Sequence, residues 1–138
     1  MSLVKYILSK SEATMKSTIS TKEAPQAVGP YSQAIATEGF LFTSGQIPIN
    51  PGTGLVEGST IEVQTHQVMK NIEAVLKEAG MTFEDVVKTT CFLSEMENFS
   101  AFNQIYAEYF TSCPARSCVA VKEIPKNALC EVEVIAHK

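Results

Sequence analysis

An amphipathic stretch in the middle of the chain constrains the fold more than any other feature. Its apolar residues recur at the spacing of one helix face and are Val68, Ile72, Val75, Leu76 and Ala79. Ser59 and Glu62 form the Ser-x-x-Glu pattern of a capping box, and Gly80 readily takes the left-handed backbone that ends a helix. The pattern predicts a helix over residues 60–79, with an apolar face that packs on another layer of structure.

Six segments of strand type surround this helix. They span residues 16–21, 31–37, 40–44, 86–93, 116–121 and 129–136. Glu38-Gly39, between the second and third segments, predicts a tight hairpin turn. The last two segments flank a loop with Pro125 and Asn127, and we predict that they pair as a second hairpin. The prolines and glycines of residues 45–58 predict a structured loop.

A second helical stretch follows the fourth strand. Phe99, Phe102, Tyr106 and Tyr109 share one of its faces, and we interpret these aromatic residues as part of the core. The order of elements predicts an α+β fold, a two-layer sandwich of a mixed six-stranded sheet with two helices on one face. Apolar residues occur on both faces of the last two strands, so we expect a partner subunit to cover the other sheet face.

Length and composition indicate one globular domain. The chain has 138 residues, which suffice for a single core, and 45% hydrophobic residues argue against disorder. We assign the domain to residues 16–138 and interpret residues 1–15, which end at a second methionine, as a flexible leader. A mitochondrial presequence is the alternative interpretation of the leader.

Charge and cysteine content exclude several classes of protein. The formal net charge is -4, so the basic footprint of nucleic-acid binding is missing, and no apolar run approaches the ~20 residues that cross a bilayer. The cysteines form no CxxC pair and have no close histidine, so we expect no metal site; they are Cys91, Cys113, Cys118 and Cys130. Their irregular spacing favours reduced thiols in a soluble cytoplasmic protein, with the mitochondrial matrix as the alternative.

Arg116 is the main candidate for binding an anion. It begins a strand of apolar or small residues, and its planar fork suits a carboxylate better than a lysine would. A structural salt bridge to Glu131 or Glu133 is the alternative, and the residues alone do not decide between the two. Cys118 lies on the same strand face as Arg116, because side chains alternate with period two.

Glu131 and Glu133 share one face of the last strand, among apolar neighbours. Burial makes a carboxyl hold its proton more tightly, which tunes a general acid or base toward neutral pH. Cys118 invites interpretation as a nucleophile, which would need a histidine beside it. Neither His66 nor His137 belongs to a recognisable partner motif, so this interpretation is the weaker one.

Two hydroxyls and an ordered set of motifs complete the pattern. Tyr31 and Ser44 lie at opposite ends of the predicted hairpin, among glycines and prolines that let backbone approach a ligand. The motifs are Gly29-Pro30-Tyr31-Ser32-Gln33-Ala34, Thr43-Ser44-Gly45-Gln46-Ile47-Pro48, Asn50-Pro51 with Thr53-Gly54, Val87-Lys88-Thr89-Thr90, Pro114-Ala115-Arg116-Ser117-Cys118-Val119, and Glu131-Val132-Glu133. In this order they closely resemble the reactive intermediate deaminase A family, RidA/YjgF.

The resemblance implies a chorismate-mutase-like fold assembled as a homotrimer, with three equivalent sites between subunits. It also implies hydrolysis of the enamine and imine acids 2-iminobutanoate and 2-iminopropanoate to 2-oxo acids and ammonia, without any cofactor. Arg116 would anchor the substrate carboxylate, and Glu131 would position or activate water. The implied substrate-binding residues are Tyr31, Ser44, Gly45, Asn103, Arg116 and Cys118. Residues 111–113 look shorter than the same segment of many members, which leaves the side-chain preference open.

Two other functions stay open at this stage. The same cleft could bind 2-oxo acids as a regulatory module without turnover. An endoribonuclease is the third hypothesis, because RNA cleavage is associated with the family, and the acidic composition argues against it. We therefore expect a small imino or oxo acid as the ligand.

Overall fold

The computed structural model describes residues 15–138, so residues 1–14 of the predicted leader lie outside the described residues. The strands are β1 (Ser17–Ile19), β2 (Ala34–Thr37), β3 (Phe40–Thr43), β4 (Ile49–Asn50), β5 (Leu55–Val56), β6 (Val86–Leu93), β7 (Ala115–Ala120) and β8 (Cys130–His137). The helices are α1 (Ile61–Glu78) and α2 (Phe99–Tyr109). All six predicted strand segments and both predicted helices are confirmed.

Six of the strands form one sheet in the order β1-β2-β3-β8-β6-β7. Neighbouring strands run antiparallel, except that β6 and β7 run parallel. Helix α1 packs on β8 and on α2. The predicted α+β fold, with a mixed six-stranded sheet and two helices, is therefore confirmed. Strands β4 and β5 form a separate small hairpin inside the loop predicted for residues 45–58.

Only one of the two predicted hairpins forms. Glu38 and Gly39 take positive φ angles of 51° and 82° and turn β2 into β3, as their sequence predicts. The hairpin predicted from the last two strands is wrong, because β6 lies between β7 and β8. A parallel strand pair needs a crossover connection, and α2 supplies it between β6 and β7. Strand β7 is therefore an edge strand of the sheet.

The ends of α1 follow local capping chemistry, with one correction. Gly80 takes φ 73° directly after the helix, as predicted. The predicted capping box at Ser59 is wrong, because Thr60 caps the helix and its hydroxyl accepts the Val63 N–H at 3.3 Å. The hydroxyl groups of Ser59 and Thr60 both precede the helix. The extended backbone of Thr60 directs its side chain toward the Val63 N–H, which has no partner within the helix.

The core lies between the sheet and the two helices. One buried cluster joins α1 to the sheet, and it includes Val68, Ile72, Val75, Leu76, Leu41, Val132 and Val134. Phe102 and Tyr106 of α2 are 0% and 9% exposed, which confirms their predicted place in the core. Burying a side chain of this size contributes about 1.5–3 kcal/mol, so this layer holds the strands of the site in place. No helix of residues 15–138 has the length and hydropathy needed to cross a membrane.

Candidate functional site

The segment that follows β3 pairs with the start of β8. The Gln46 N–H donates to the Val132 carbonyl at 2.8 Å, and the Val132 N–H donates to the Gln46 carbonyl at 3.1 Å. This pairing brings Gly45 against Glu131. A Cβ atom on Gly45 would overlap the Glu131 carboxylate and lie 2.8 Å from its Cδ, so only glycine leaves room for the carboxyl group here.

Glu131 is half-buried and lines a cavity of about 570 Å³. Burial raises the pKa of its carboxyl group, and the negative charge of Glu133 adds to the rise. Such a carboxyl exchanges its proton closer to neutral pH than a free glutamate does, so it can serve as a general acid or base. Tyr31, Ser44 and Gly45 line the same cavity, so the structure brings four of the predicted site residues together.

Gln33 fixes the loop between β1 and β2, and the sequence patterns did not single it out. Its side chain is 3% exposed. The amide group donates to the carbonyls of Thr21 and Pro25 at 3.0 and 2.8 Å, and its oxygen accepts the Thr21 N–H at 2.7 Å. The Ser44 hydroxyl donates to the Ser32 carbonyl at 2.6 Å and so holds the same loop against β3. The one sequence signal for Gln33 is its place in the Gly-Pro-Tyr-Ser-Gln-Ala motif.

The second part of the predicted site lies on the edge strand β7. The Arg116 Nη1 donates to the Asn103 Oδ1 at 2.6 Å. The guanidinium carbon lies 4.7 Å from the ring centre of Tyr106 and 5.5 Å from that of Phe99. A 2.7 Å hydrogen bond between the hydroxyls of Tyr106 and Thr89 holds the nearer ring. One side of the guanidinium group is thus packed and oriented by α2 before any ligand binds.

No carboxylate in the described part of the chain pairs with Arg116. The contact between a basic and an acidic side chain that is found there joins the His66 Nε2 to the Glu108 carboxylate, at 3.9 Å. The alternative prediction, a salt bridge from Arg116 to Glu131 or Glu133, is therefore wrong. It assumed that the last two strands are neighbours, whereas β6 separates them.

Arg116 and Glu131 also lie on opposite faces of the sheet. Arg116 pairs with Thr89 of β6, which pairs with Val134 of β8, and paired residues place their side chains on the same face. Glu131 pairs with Phe92 and faces the other way, because it lies an odd number of residues from Val134. Two strand spacings, roughly 10 Å, further separate them. A single copy of the chain does not bring these two groups into one pocket.

Cys118 shares the face of Arg116, as its strand position predicts. Burial raises the pKa of its thiol, and the positive charge of Arg116 offsets part of that rise. A thiol is a weak nucleophile in this state. His66 is hydrogen-bonded to the Tyr109 hydroxyl at 2.8 Å, and the His137 ring packs at a tilt of 57° against the Phe40 ring of β3. The described structure therefore shows no histidine hydrogen-bonded to Cys118, and a cysteine hydrolase gains no support.

The remaining cysteines have structural surroundings. Cys91 and Cys130 are buried, and burial raises the pKa of each thiol to about 12. Cys113 is exposed, and all four cysteines are free thiols. Residues 15–138 contain no group of three or more His, Cys, Asp or Glu side chains that could hold a metal ion.

Comparisons with known proteins agree on one family. The sequence profile of the family described as Endoribonuclease L-PSP matches residues 21–138. The chain is 56% identical over 120 residues to "Putative regulator AldR" of Lactococcus lactis, covering 86% of this chain and 95% of the relative. It is 50% identical over 125 residues to a RutC family protein of Pyrococcus horikoshii, covering 90% and 99%.

Solved structures give the same result. A conserved Rid family protein, YyfA of Yersinia pestis, superposes with a TM-score of 0.87 at 56% identity, covering 90% of this chain and all of that one. TdcF of E. coli, solved with bound serine, superposes with a TM-score of 0.85 at 35% identity, covering 88% and 98%. The predicted chorismate-mutase-like fold agrees with these neighbours. The chain therefore belongs to the RidA/YjgF family.

Proposed function

We propose that the protein hydrolyses reactive 2-imino acids, such as 2-iminobutanoate and 2-iminopropanoate, to 2-oxo acids and ammonia. The observation that carries this proposal is the state of Arg116. Its guanidinium group is oriented by Asn103 and by two aromatic rings, yet no carboxylate of the described chain neutralises it. An oriented arginine without an anionic partner is suited to capture the carboxylate of a small acid.

Glu131 supplies the second group of the mechanism. Its carboxylate takes a proton from a water molecule, whose oxygen forms a bond to C2 of the iminium group while the C=N π electrons move to nitrogen. The Glu131 carboxyl group returns that proton to the nitrogen, and the C–N bond breaks as a lone pair of the new hydroxyl oxygen forms the C=O bond. Ammonia leaves, and the hydroxyl proton passes to the Glu131 carboxylate. Free imines already hydrolyse in water, so a site with few catalytic groups suffices. Tyr31, Ser44 and Gly45 form the wall beside this water, and Cys118 lies beside the carboxylate anchor.

We place the site between subunits of a homotrimer. Arg116 and Glu131 face opposite sides of one sheet, so a pocket that contains both needs two copies of the chain. The sheet face away from the helices exposes Phe42 and Val119 to 44% and 47%, which a neighbouring copy would cover. The four free thiols favour a reducing compartment, and we assign the reaction to the cytoplasm.

A coupled assay tests the proposed function. A pyridoxal-phosphate dehydratase releases 2-iminobutanoate, and the appearance of 2-oxobutanoate is followed with and without the full chain. The rate is expected to rise in proportion to the amount of protein added. A rate that stays at the spontaneous value, at protein concentrations equal to that of the dehydratase, contradicts the proposal.

The same measurements separate the two other hypotheses. A regulatory module would bind 2-oxobutanoate in calorimetry without changing the hydrolysis rate, and the anion-binding geometry of Arg116 fits that function as well. An endoribonuclease would cleave RNA after removal of contaminating nucleases. The net charge of -4 argues against this activity, although the name of the matching family refers to it.

Mixing two inactive variants is expected to restore activity. In a trimer assembled from Arg116→Ala and Glu131→Gln chains, one of the three sites receives an intact arginine from one chain and an intact glutamate from its neighbour. Because random 1:1 assembly puts both variants into about three quarters of the trimers, about a quarter of wild-type activity should return. The two variants are co-refolded and assayed, and each variant refolded alone is the control. Activity equal to the mean of the separate variants contradicts a shared site.

Replacing Gly45 by alanine is expected to lower kcat/KM about 100-fold with little change in Tm. The added Cβ atom collides with the end of the flexible Glu131 side chain, so the carboxylate moves while the backbone stays, and displacement by about 1 Å can have an effect of this size. Gly52→Ala is the matched control, because its Cβ atom would meet only the Asn50 side chain, at 3.2 Å. Equal kcat/KM for both variants would show that the position of the carboxylate is unimportant.

A further inference from the structure

Glu131 lies on a cavity that one copy of the chain forms by itself, on its side of the proposed boundary between subunits. Its volume of about 570 Å³ falls in the range that encloses drug-sized ligands, about 300–1,000 Å³. 2-Iminobutanoate carries only an ethyl group beyond its imino-acid head, and the carboxylate of that head is assigned to Arg116. The proposed function therefore leaves open which part of the substrate enters this cavity.

One part of the lining of this cavity, which we call its wall, is apolar. It is formed by Val28, Ile47, Ile49 and Pro51. The charged residues of the lining are Glu131 itself and Lys126, whose side chain is exposed. Such a wall favours an apolar group released from water, whereas a polar side chain placed against Val28, Ile47, Ile49 or Pro51 would lose its hydration without gaining a partner from them.

A buried amide holds this wall in place. Asn71 of α1 is a polar residue on the face of the helix that packs into the core, and its side chain is fully buried. Its side chain donates to the carbonyls of Ile47 and Ile49 at 3.1 and 2.9 Å and accepts the Gln67 amide at 2.9 Å. The Ile49 N–H also donates to the Ile47 carbonyl at 2.8 Å. The wall is thus preformed, because the Asn71 amide nitrogen holds the carbonyls of two of its residues and the Asn71 oxygen is held by Gln67.

The substituents of C2 determine what can enter the cavity. The imino acid presents a carboxylate, a nitrogen and a side chain around this carbon. With the carboxylate on Arg116 of one copy and the attacking water on Glu131 of the next, the side chain is the group that remains to be placed. Because Glu131 lines the cavity, a substrate side chain next to that water would enter the cavity of the same chain.

We propose that this cavity is the side-chain pocket of the site, that Ile49 sets its size, and that 2-imino acids with branched or aromatic apolar side chains are preferred substrates. The inference rests on the proposed function, since it assigns a role to the same site. It makes Ile49 a specificity-determining residue. The Asn71 amide acts through Ile47 and Ile49 and is a positioning residue.

The test compares side chains of different size. An L-amino acid oxidase generates the 2-imino acids of alanine, leucine and phenylalanine, and their loss to the protein is measured in competition with trapping by semicarbazide. The wild-type kcat/KM for the leucine or phenylalanine product should exceed that for the alanine product by about tenfold or more. Ile49→Phe fills the cavity, so this ratio should fall by about tenfold or more. Leu55→Phe is the matched control on the paired strand, where Leu55 is 64% exposed, and should leave the ratio unchanged.

Each outcome decides one of the two proposals. The same ratio in the wild type, Ile49→Phe and Leu55→Phe overturns the pocket inference while the hydrolase proposal stands. If the wild type hydrolyses none of the three imino acids, the proposed function fails, and calorimetry with pyruvate and 2-oxo-3-phenylpropanoate decides the inference separately. Weaker binding of the phenyl compound in Ile49→Phe, relative to pyruvate, would then support the pocket, and equal losses would overturn it.

Discussion

Replacing Arg116 by alanine is expected to lower kcat/KM for imine hydrolysis by at least about 100-fold. The variant would lose both hydrogen bonds of the proposed bidentate contact with the substrate carboxylate, and a hydrogen bond to a charged group contributes about 1.5–3 kcal/mol. Stability should change little, because the guanidinium group has no carboxylate partner in the described chain and its ring contacts are worth about 0.5–1 kcal/mol at such a site. Steady-state kinetics and thermal unfolding of the same preparations measure both effects.

Arg116→Lys separates charge from geometry. Lysine keeps the positive charge but lacks the planar fork that accepts two carboxylate oxygens at once, so an activity between those of the wild type and the alanine variant is expected. Asn103→Ala removes the hydrogen bond that orients the guanidinium group and should raise KM more than it lowers kcat. Wild-type kcat/KM in Arg116→Ala would remove the basis of the proposed mechanism.

Local signals explain which parts of the fold could be predicted. The apolar period of α1, the positive φ of Gly80 and the Glu38-Gly39 turn all depend on residues close in sequence. The pairing of β7 depends instead on where α2 returns the chain, which no pattern within either strand encodes. The sequence wrongly predicts that β7 and β8 are neighbours. For this reason a salt bridge from Arg116 to Glu131 or Glu133 looked as plausible as an arginine without a carboxylate partner.

The site shows the same division. The motifs singled out Arg116 and Glu131 as candidates, but their opposite faces follow from the position of β6, a non-local property of the sheet. Gln33 and Asn71 were missed for a related reason. Both are buried amides whose partners lie 8–12 and 22–24 residues away along the chain. A pattern of polar and apolar positions does not distinguish such a residue from a solvent-exposed one.

Replacing Glu131 by glutamine is expected to lower kcat by about 10²–10⁴-fold, the usual contribution of a general base. Glutamine has nearly the same shape, so the fit against Gly45 is retained while the group can no longer take a proton from water. The wild type should also lose activity as the pH falls through the raised pKa of Glu131, and this acidic limb should be missing from the residual activity of the variant. Rates measured from pH 4 to pH 8 test both statements, and an unchanged kcat in the variant would exclude Glu131 as the base.

The same substitution should stabilise the folded chain at neutral pH. Because burial raises the pKa of Glu131 above its ordinary value of 4.5, the folded state holds this proton more tightly than the unfolded state does. The stability that Glu131 contributes is therefore greatest below about pH 4.5 and is lost as the pH rises through the folded pKa. Glu131→Gln lacks this loss, so its Tm should exceed that of the wild type at pH 7, and the difference should shrink toward pH 4.

Glu57→Gln is the control of opposite sign. Hydrogen bonds from Thr53 and Asn50 lower the pKa of Glu57, so that variant should be less stable than the wild type at pH 7. A Tm of Glu131→Gln below that of the wild type at pH 7 would contradict this prediction. It would mean that the ionised Glu131 side chain stabilises the folded chain.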